Sequence, residues 1–224
     1  MATGAFAVLD AVDLSPSRIA VARQRAEHEG TGGRLRFVAG DVRTIDPAPQ
    51  SYDIVIFEDA LHHFSPMHAN LSRARSWLRP GGILVINEFV GPSRFQWTDE
   101  QLRAVNKLLE GLPWDLRVRH DGTPKPRVHR PGTLTMRLYD PSEAADSSHI
   151  IPAIRSMFDT REEHFYEGTV LHLLCKDIAH HFLTLDAERR SLLESCCDQE
   201  DLLIAGGKLT SDFAAIVALN LRGP

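Results

Sequence analysis

Through the first half of the chain, short apolar runs alternate with stretches whose apolar residues recur three and four positions apart. The runs are Ala7–Val12, Leu35–Ala39, Asp53–Phe57 and Ile83–Asn87. Between them, Ile19, Ala22 and Ala26 share one helical face, as do Leu71, Ala74 and Leu78. Ser15 suits a helix N-cap and Pro16 the first helical position. Gly30–Gly33 closes that helix. Ser65-Pro66 opens the next, and Arg79-Pro80-Gly81-Gly82 breaks it. The continuous β-branched run at Asp53–Phe57 predicts a strand buried on both faces. Strand–helix–strand alternation at this spacing predicts right-handed crossovers and an α/β, doubly wound, mostly parallel sheet.

The second half has a different texture. Thr98 and Gln101 form a capping box before Leu102, Val105 and Leu109. Pro113–Pro141 is rich in Pro, Gly, Arg and His, with weak periodicity, and predicts a long irregular insertion. Asp140-Pro141-Ser142-Glu143 predicts a helix start. Arg161–Tyr166 predicts a strand, Val170–Leu183 and Glu188–Ala205 helices, and Asp212–Asn220 a final apolar strand. The expected organisation is a Rossmann-like core over residues 1–92, a helical and irregular region over 93–210 in the same domain, and a strand over 211–224 returning to the sheet.

Composition narrows the function classes. The 224 residues carry a net charge of −5, with 43% hydrophobic and 25% charged residues. An acidic chain lacks the basic stripe of a nucleic-acid surface. No apolar run approaches a membrane span, and MATGAFAVLD shows no basic n-region before an apolar stretch, so a secretory leader is not expected there. Three cysteines with no spaced framework suit a reducing, cytoplasmic setting. Neither Cys196-Cys197 nor His180-His181 has ligand spacing, so no metal site is expected.

Four landmarks appear in order: Val12-Asp13-Leu14-Ser15; Gly40-Asp41-Val42; Tyr52-Asp53-Ile54-Val55 followed by Leu61-His62-His63; and Leu78-Arg79-Pro80-Gly81-Gly82. The series resembles the class I S-adenosylmethionine-dependent methyltransferases from Ala7 to about Asn87. Glu88–Leu102, Asp140–Ala144 and Ile150–Pro152 look like a bacterial subgroup that accompanies sugar, polysaccharide or secondary-metabolite pathways. The resemblance implies S-adenosylmethionine as cofactor and a small-molecule acceptor, with O-methylation favoured. Asp13 would accept from the ribose hydroxyls, and Leu14 would cover one adenine face. Asp41 would accept from the adenine amino group, with the Val42 N–H at a ring nitrogen. Backbone at Glu58 and Asp59 would meet the cofactor tail. His63, and less so His62, is the candidate base. Glu88, Arg94 and Gln96 would face the acceptor, with Arg94 suited to a phosphate or carboxylate. Phe95 and Trp97 would line that pocket or pack a lid, and the basic stretch Arg127–Arg130 would suit an anionic sugar nucleotide.

One departure stands out. The family's acidic-x-glycine-x-glycine turn, with its strand and helix, belongs before Asp13, and only a lone Gly4 precedes it. A chain without that central strand would split into two half-sheets or pair them directly. Exposed strand edges leave a homodimer open. On this reading the front of the cofactor site is truncated, and S-adenosylmethionine binds weakly or not at all. Two rivals remain: a non-catalytic methyltransferase-like scaffold, and a nicotinamide-dependent oxidoreductase, which also needs the glycine turn.

Overall fold

A computed structural model describes residues 6–184 and 186–221. The chain divides into two compact units, residues 1–48 and 49–224.

The first unit is strand–helix–strand. β1 (Leu9–Asp13) leads into α1 (Pro16–His28), and β2 (Leu35–Ala39) returns parallel to β1. Ser15 caps α1 as expected, its side chain accepting the Arg18 N–H at 3.3 Å. Ile19 and Ala26 are buried. Gly30, at φ +67°, takes the left-handed turn that ends the helix.

The second unit is built on a four-stranded sheet ordered β3-β4-β6-β5. β3 (Tyr52–Glu58) is parallel to β4 (Leu78–Phe89). β6 (Phe213–Leu219) lies antiparallel between β4 and β5 (Asp159–Phe165). The architecture is therefore mixed α/β and Rossmann-like, with parallel pairs at β1–β2 and β3–β4. β1–β2 and the four strands form two separate ladders. The strand expected to be buried on both faces is instead an edge strand. Among the described residues β3 pairs only with β4, and its Ile56 is 50% exposed.

The sheet core alternates with the pleat. Leu84, Ile86 and Glu88 of β4 are buried, and Ala214, Ile216 and Ala218 of β6 likewise. α2 (Met67–Trp77) covers this core with Met67, Leu71 and Ala74. Leu78, expected to be helical, is the first residue of β4. The β3–β4 register jumps from Tyr52↔Leu78 to Ile54↔Ile83, so Arg79–Gly82 bulge out of the ladder, with Gly81 at φ +76° and Gly82 packed closely. A β-carbon on Gly82 would lie 2.9 Å from the Arg79 carbonyl oxygen.

A second cluster surrounds α3 (Asp99–Gly111), whose Val105 and Leu109 meet Leu173, Leu174 and Ile178. Thr98 caps α3 at the Gln101 N–H, 3.1 Å away. The Gln101 side chain does not close the expected box. It donates instead to the Thr169 carbonyl at 2.7 Å and to Asp212 at 2.8 Å.

The Pro113–Pro141 insertion contains a 3-10 turn at Trp114–Arg117 and one α-helix, α4 (Thr133–Tyr139). The helix expected from Asp140 is a tight turn; the next helix is α5 (Ile150–Met157). The helix expected over Val170–Leu183 is α6 (Leu171–Cys175) and a separate 3-10 turn at Ala179–Phe182. The break has a visible cause. The Lys125 ammonium, almost wholly buried, donates to the carbonyls of Leu173, Leu174 and Lys176 at 2.5–3.1 Å and takes the acceptors a continuing helix would use. Burial lowers its pKa to about 8. The last helix, α7 (Ala187–Ala205), is capped by Asp186.

Candidate functional site

The parallel strands of the second unit end in a dense set of polar side chains: Glu58 at the end of β3 and Asp59 just after it, and Asn87 and Glu88 in β4. Carboxyl ends of parallel strands are where open α/β sheets receive ligands. Glu88 organises this set. It is fully buried, on the same pleat face as Leu84 and Ile86, and the loop after β3 folds over it. One carboxylate oxygen accepts the N–H groups of Ala60, at 2.6 Å, and of Leu61. The other accepts the His62 N–H at 3.3 Å and lies 2.7 Å from His62 Nδ1. A buried carboxylate is tolerable with this many donors. Glu88 was expected to face the acceptor. With both oxygens engaged inside the protein, it instead positions the Leu61-His62-His63 turn.

With Nδ1 held by Glu88, the His62 ring directs Nε2 toward Glu143 Oε1, 3.9 Å away. His63 Nδ1 lies 3.9 Å from Glu143 Oε2 and 3.4 Å from the Ser142 hydroxyl. The two imidazole centroids are 4.2 Å apart. Burial alone would lower the His62 pKa. The Glu88 hydrogen bond and charge, then Glu143 and Asp59, outweigh it and raise the value above the ordinary imidazole range. Asp59 is also raised, first by burial and then by Glu88 and Glu58. It sits at φ +45°, a conformation aspartate tolerates better than most residues, with its N–H on the Asn87 carbonyl at 2.9 Å.

Glu143 is held in place by its own turn. Asp140 accepts the Ser142 N–H and hydroxyl and the Glu143 N–H at 2.8–3.1 Å, which is why this segment turns instead of starting a helix. The Ala145 N–H donates to the His62 carbonyl at 3.2 Å, and Asp146 accepts the Met67 N–H at 2.7 Å. These bonds fasten the Asp140–Asp146 segment to the histidine turn. Tyr166 completes the rim. Its hydroxyl donates to Asn87, whose amide donates to Glu58 at 2.8 Å. Sequence reasoning did not place Glu143, Ser142 or Tyr166 here. The only local signal was the Asp140-Pro-Ser-Glu pattern, and it reads equally as a helix cap.

Arg94 and Gln96 hold loops. Arg94 is at φ +56°, its N–H donates to the Ala144 carbonyl at 2.6 Å, and its guanidinium reaches the Glu143 carbonyl at 3.4 Å. Gln96 donates to the carbonyls of Arg94 and Pro131. Phe95 stacks on Trp97 with centroids 5.3 Å apart, inside an aromatic group with Phe89 and His172. Arg130 is tied to the Trp97 carbonyl and to Asp99.

In the first unit, Asp13 and Asp41 follow neighbouring parallel strands, and the Gly40 N–H donates to the Asp13 carbonyl at 2.9 Å. Asp13 Oδ1 accepts the Ser15 N–H at 2.7 Å, and the carboxylate stays half-exposed. Leu14 beside it is 68% exposed, a flat apolar surface in water. Asp41 grips the Arg43 guanidinium at 2.7–3.0 Å and the Arg43 N–H at 2.8 Å, with Val42 half-buried between them.

The model of a family described as "Methyltransferase domain" matches residues 2–82. The erythromycin 3''-O-methyltransferase of Saccharopolyspora erythraea is 29% identical over 125 residues, 55% of this chain and 34% of that enzyme. Geranyl diphosphate methyltransferase, solved in complex with S-adenosylmethionine, superposes with a TM-score of 0.53 at 11% identity, covering 95% of this chain and 68% of that one. The fold is that of the class I methyltransferases. It does not fix the reaction. A [4+2]-cyclase superposes with a TM-score of 0.52 at 15% identity, covering 96% of this chain and 68% of that one. The chain spans about a third of the length of the erythromycin enzyme it matches. Among the described residues, no helix is long and apolar enough to cross a membrane.

Proposed function

We propose that this chain takes part in methyl transfer from S-adenosylmethionine to a small-molecule acceptor, most readily at a hydroxyl oxygen. The observation that carries this reading is the His62–Glu88 pair at the carboxyl end of β3 and β4, in a class I methyltransferase fold with a methyltransferase-domain match over residues 2–82.

The residues present suit the cofactor's nucleoside. The half-exposed Asp13 carboxylate has acceptor capacity left for two ribose hydroxyls, and Leu14 offers an apolar face for a purine. The Val42 N–H and Asp41, the latter sharing its charge with Arg43, would meet the adenine edge. Glu58 and Asp59 give the second unit an acidic strand end beside the histidine turn. When bound, the cofactor supplies an electrophilic methyl on a sulfonium.

The chain's own contribution is to hold the acceptor and move its proton. Alignment of acceptor oxygen and methyl carries much of the barrier reduction in such displacements. Glu88 fixes the His62 ring, and Ser142 and Glu143 flank His63. We assign proton acceptance to His63, with His62 orienting the same hydroxyl. A carboxylate acceptor needs no base, and the histidines then only position it. Arg94, Gln96 and Glu88 shape the acceptor side by fixing its loops.

S-Adenosylhomocysteine calorimetry tests this, on this chain and on the same chain extended upstream in its reading frame. Asp13→Ala should weaken binding at least about tenfold, the scale of charge-assisted hydrogen bonds. Two folded proteins that both fail to bind, or binding indifferent to Asp13→Ala, would overturn the reading.

A further inference from the structure

We propose that His62, His63 and Glu143 form a binding site for one borderline divalent cation of the zinc, cobalt or ferrous type. Each residue offers one ligand atom, and these atoms all lie within 4.8 Å of one another. Both His–Glu143 approaches are 3.9 Å, too long for hydrogen bonds. The three groups therefore face one another at ion-pair distance with no hydrogen bond between an imidazole and Glu143. In a tetrahedral site with bonds near 2.0–2.2 Å, ligand atoms lie roughly 3.4 Å apart. The His–Glu143 pairs at 3.9 Å would close by roughly 0.5 Å and the widest pair by up to roughly 1.4 Å, shared between two side chains.

The surroundings are those of a ligand set held in advance. His62 Nδ1 lies 2.7 Å from a fully buried glutamate, so Nε2, on the Glu143 side, is the nitrogen a cation would take in exchange for a proton. A carboxylate behind a histidine fixes the tautomer and raises ligand basicity in metal sites. Glu143 is held through the Asp140 turn and through the Ala145–His62 backbone bond, so both sides of the cluster are braced. The donor set is two nitrogens and one oxygen. That selects borderline cations over magnesium and calcium, which prefer oxygen alone. Three protein ligands leave a coordination position open, as in catalytic zinc sites. A hydroxyl bound there would lose its proton more readily, and His63, as a ligand, would then not serve as the base. That use rests on the methyl-transfer reading; the cation site itself does not.

The test uses the full chain with Co²⁺ and Zn²⁺ as probes, followed by calorimetry and by the visible spectrum of Co²⁺. The expected result is one tight site per chain, unaffected by excess Mg²⁺. Glu143→Gln and His63→Ala replace residues outside the core and should each weaken it by ~10-fold or more. Glu88→Gln should weaken it by a similar factor through His62 alone. His120→Ala, in the separate stack formed with His180, should leave it unchanged. Absence of a one-to-one site, or an affinity indifferent to Glu143→Gln and His63→Ala in folded protein, would overturn the site. Either outcome leaves S-adenosylhomocysteine binding to be judged separately.

Discussion

The two compact units are written in the same local language, yet they bury very different amounts of themselves. In the first, α1 buries Ile19 and Ala26, and no residue of β1 or β2 is fully buried. In the second, β4 and β6 each bury alternate residues completely, and a charged glutamate lies among them. Their functional groups differ in the same way. Asp13, Leu14 and Asp41 sit at the surface, shaped by turns and a neighbouring arginine. His62 is locked by a buried carboxylate bonded to three backbone amides. A strand–helix–strand pattern can thus be fully formed while its side chains remain open, whereas a reactive imidazole needs a packed interior behind it.

Substitutions can break this contrast. The largest effect belongs to Glu88→Ala. It strips the Ala60, Leu61 and His62 N–H groups and His62 Nδ1 of their partner, and should cost the second unit roughly 5 kcal/mol. Chemical denaturation followed by Trp fluorescence measures it. An unchanged midpoint would mean the loop does not depend on Glu88.

Asp212 gives a pH-dependent test in the same unit. Burial, with Glu200, raises its pKa to about 7 against the hydrogen bonds of Gln101 and Thr169. The folded state therefore holds this proton more tightly than the unfolded chain. The contribution is fully present below pH ~4, falls as pH rises to ~7, and is flat above. The integrated loss is about 4 kcal/mol. Asp212→Asn should flatten that slope in urea melts across the window, and a wild-type stability that rises through it would contradict the assignment.

Leu84→Ala should destabilise the second unit by about 3 kcal/mol through a cavity under α2. Amide exchange of α1 should be unchanged by it. The smallest effect is Ser15→Ala in the first unit, about 1 kcal/mol from the lost cap. It should show as faster exchange at Arg18 and little else, because local opening there exposes few buried groups.

What the sequence revealed follows the range of the forces involved. α1 was legible because Ser15, Pro16 and the Ile19–Ala26 spacing are neighbours in the chain. β6 was legible because seven residues of apolar, strand-forming sequence, Phe213–Leu219, need no partner to be recognised. The failures involve distant residues. The helix after Val170 is stopped by Lys125, far back in the chain. Gln101 leaves its capping box for Thr169 and Asp212. Glu143 joins the histidines across 80 residues through a turn that local pattern reads as a helix start. β3 has the run of a central strand but takes an edge, because pairing depends on which strands lie beside it. For the site, residue types near strand ends were legible, but their roles were not. Glu88 was expected at the acceptor and is sealed behind His62, a difference set wholly by which pleat face points inward.

The most direct test of the central claim is a residue-resolved titration of the ¹⁵N-labelled chain with S-adenosylhomocysteine. The account predicts saturable shifts concentrated at Asp13–Ser15 and Asp41–Val42, and their loss in Asp13→Ala. A folded spectrum that moves neither for this chain nor for its upstream-extended form, or shifts confined to other residues, would contradict it.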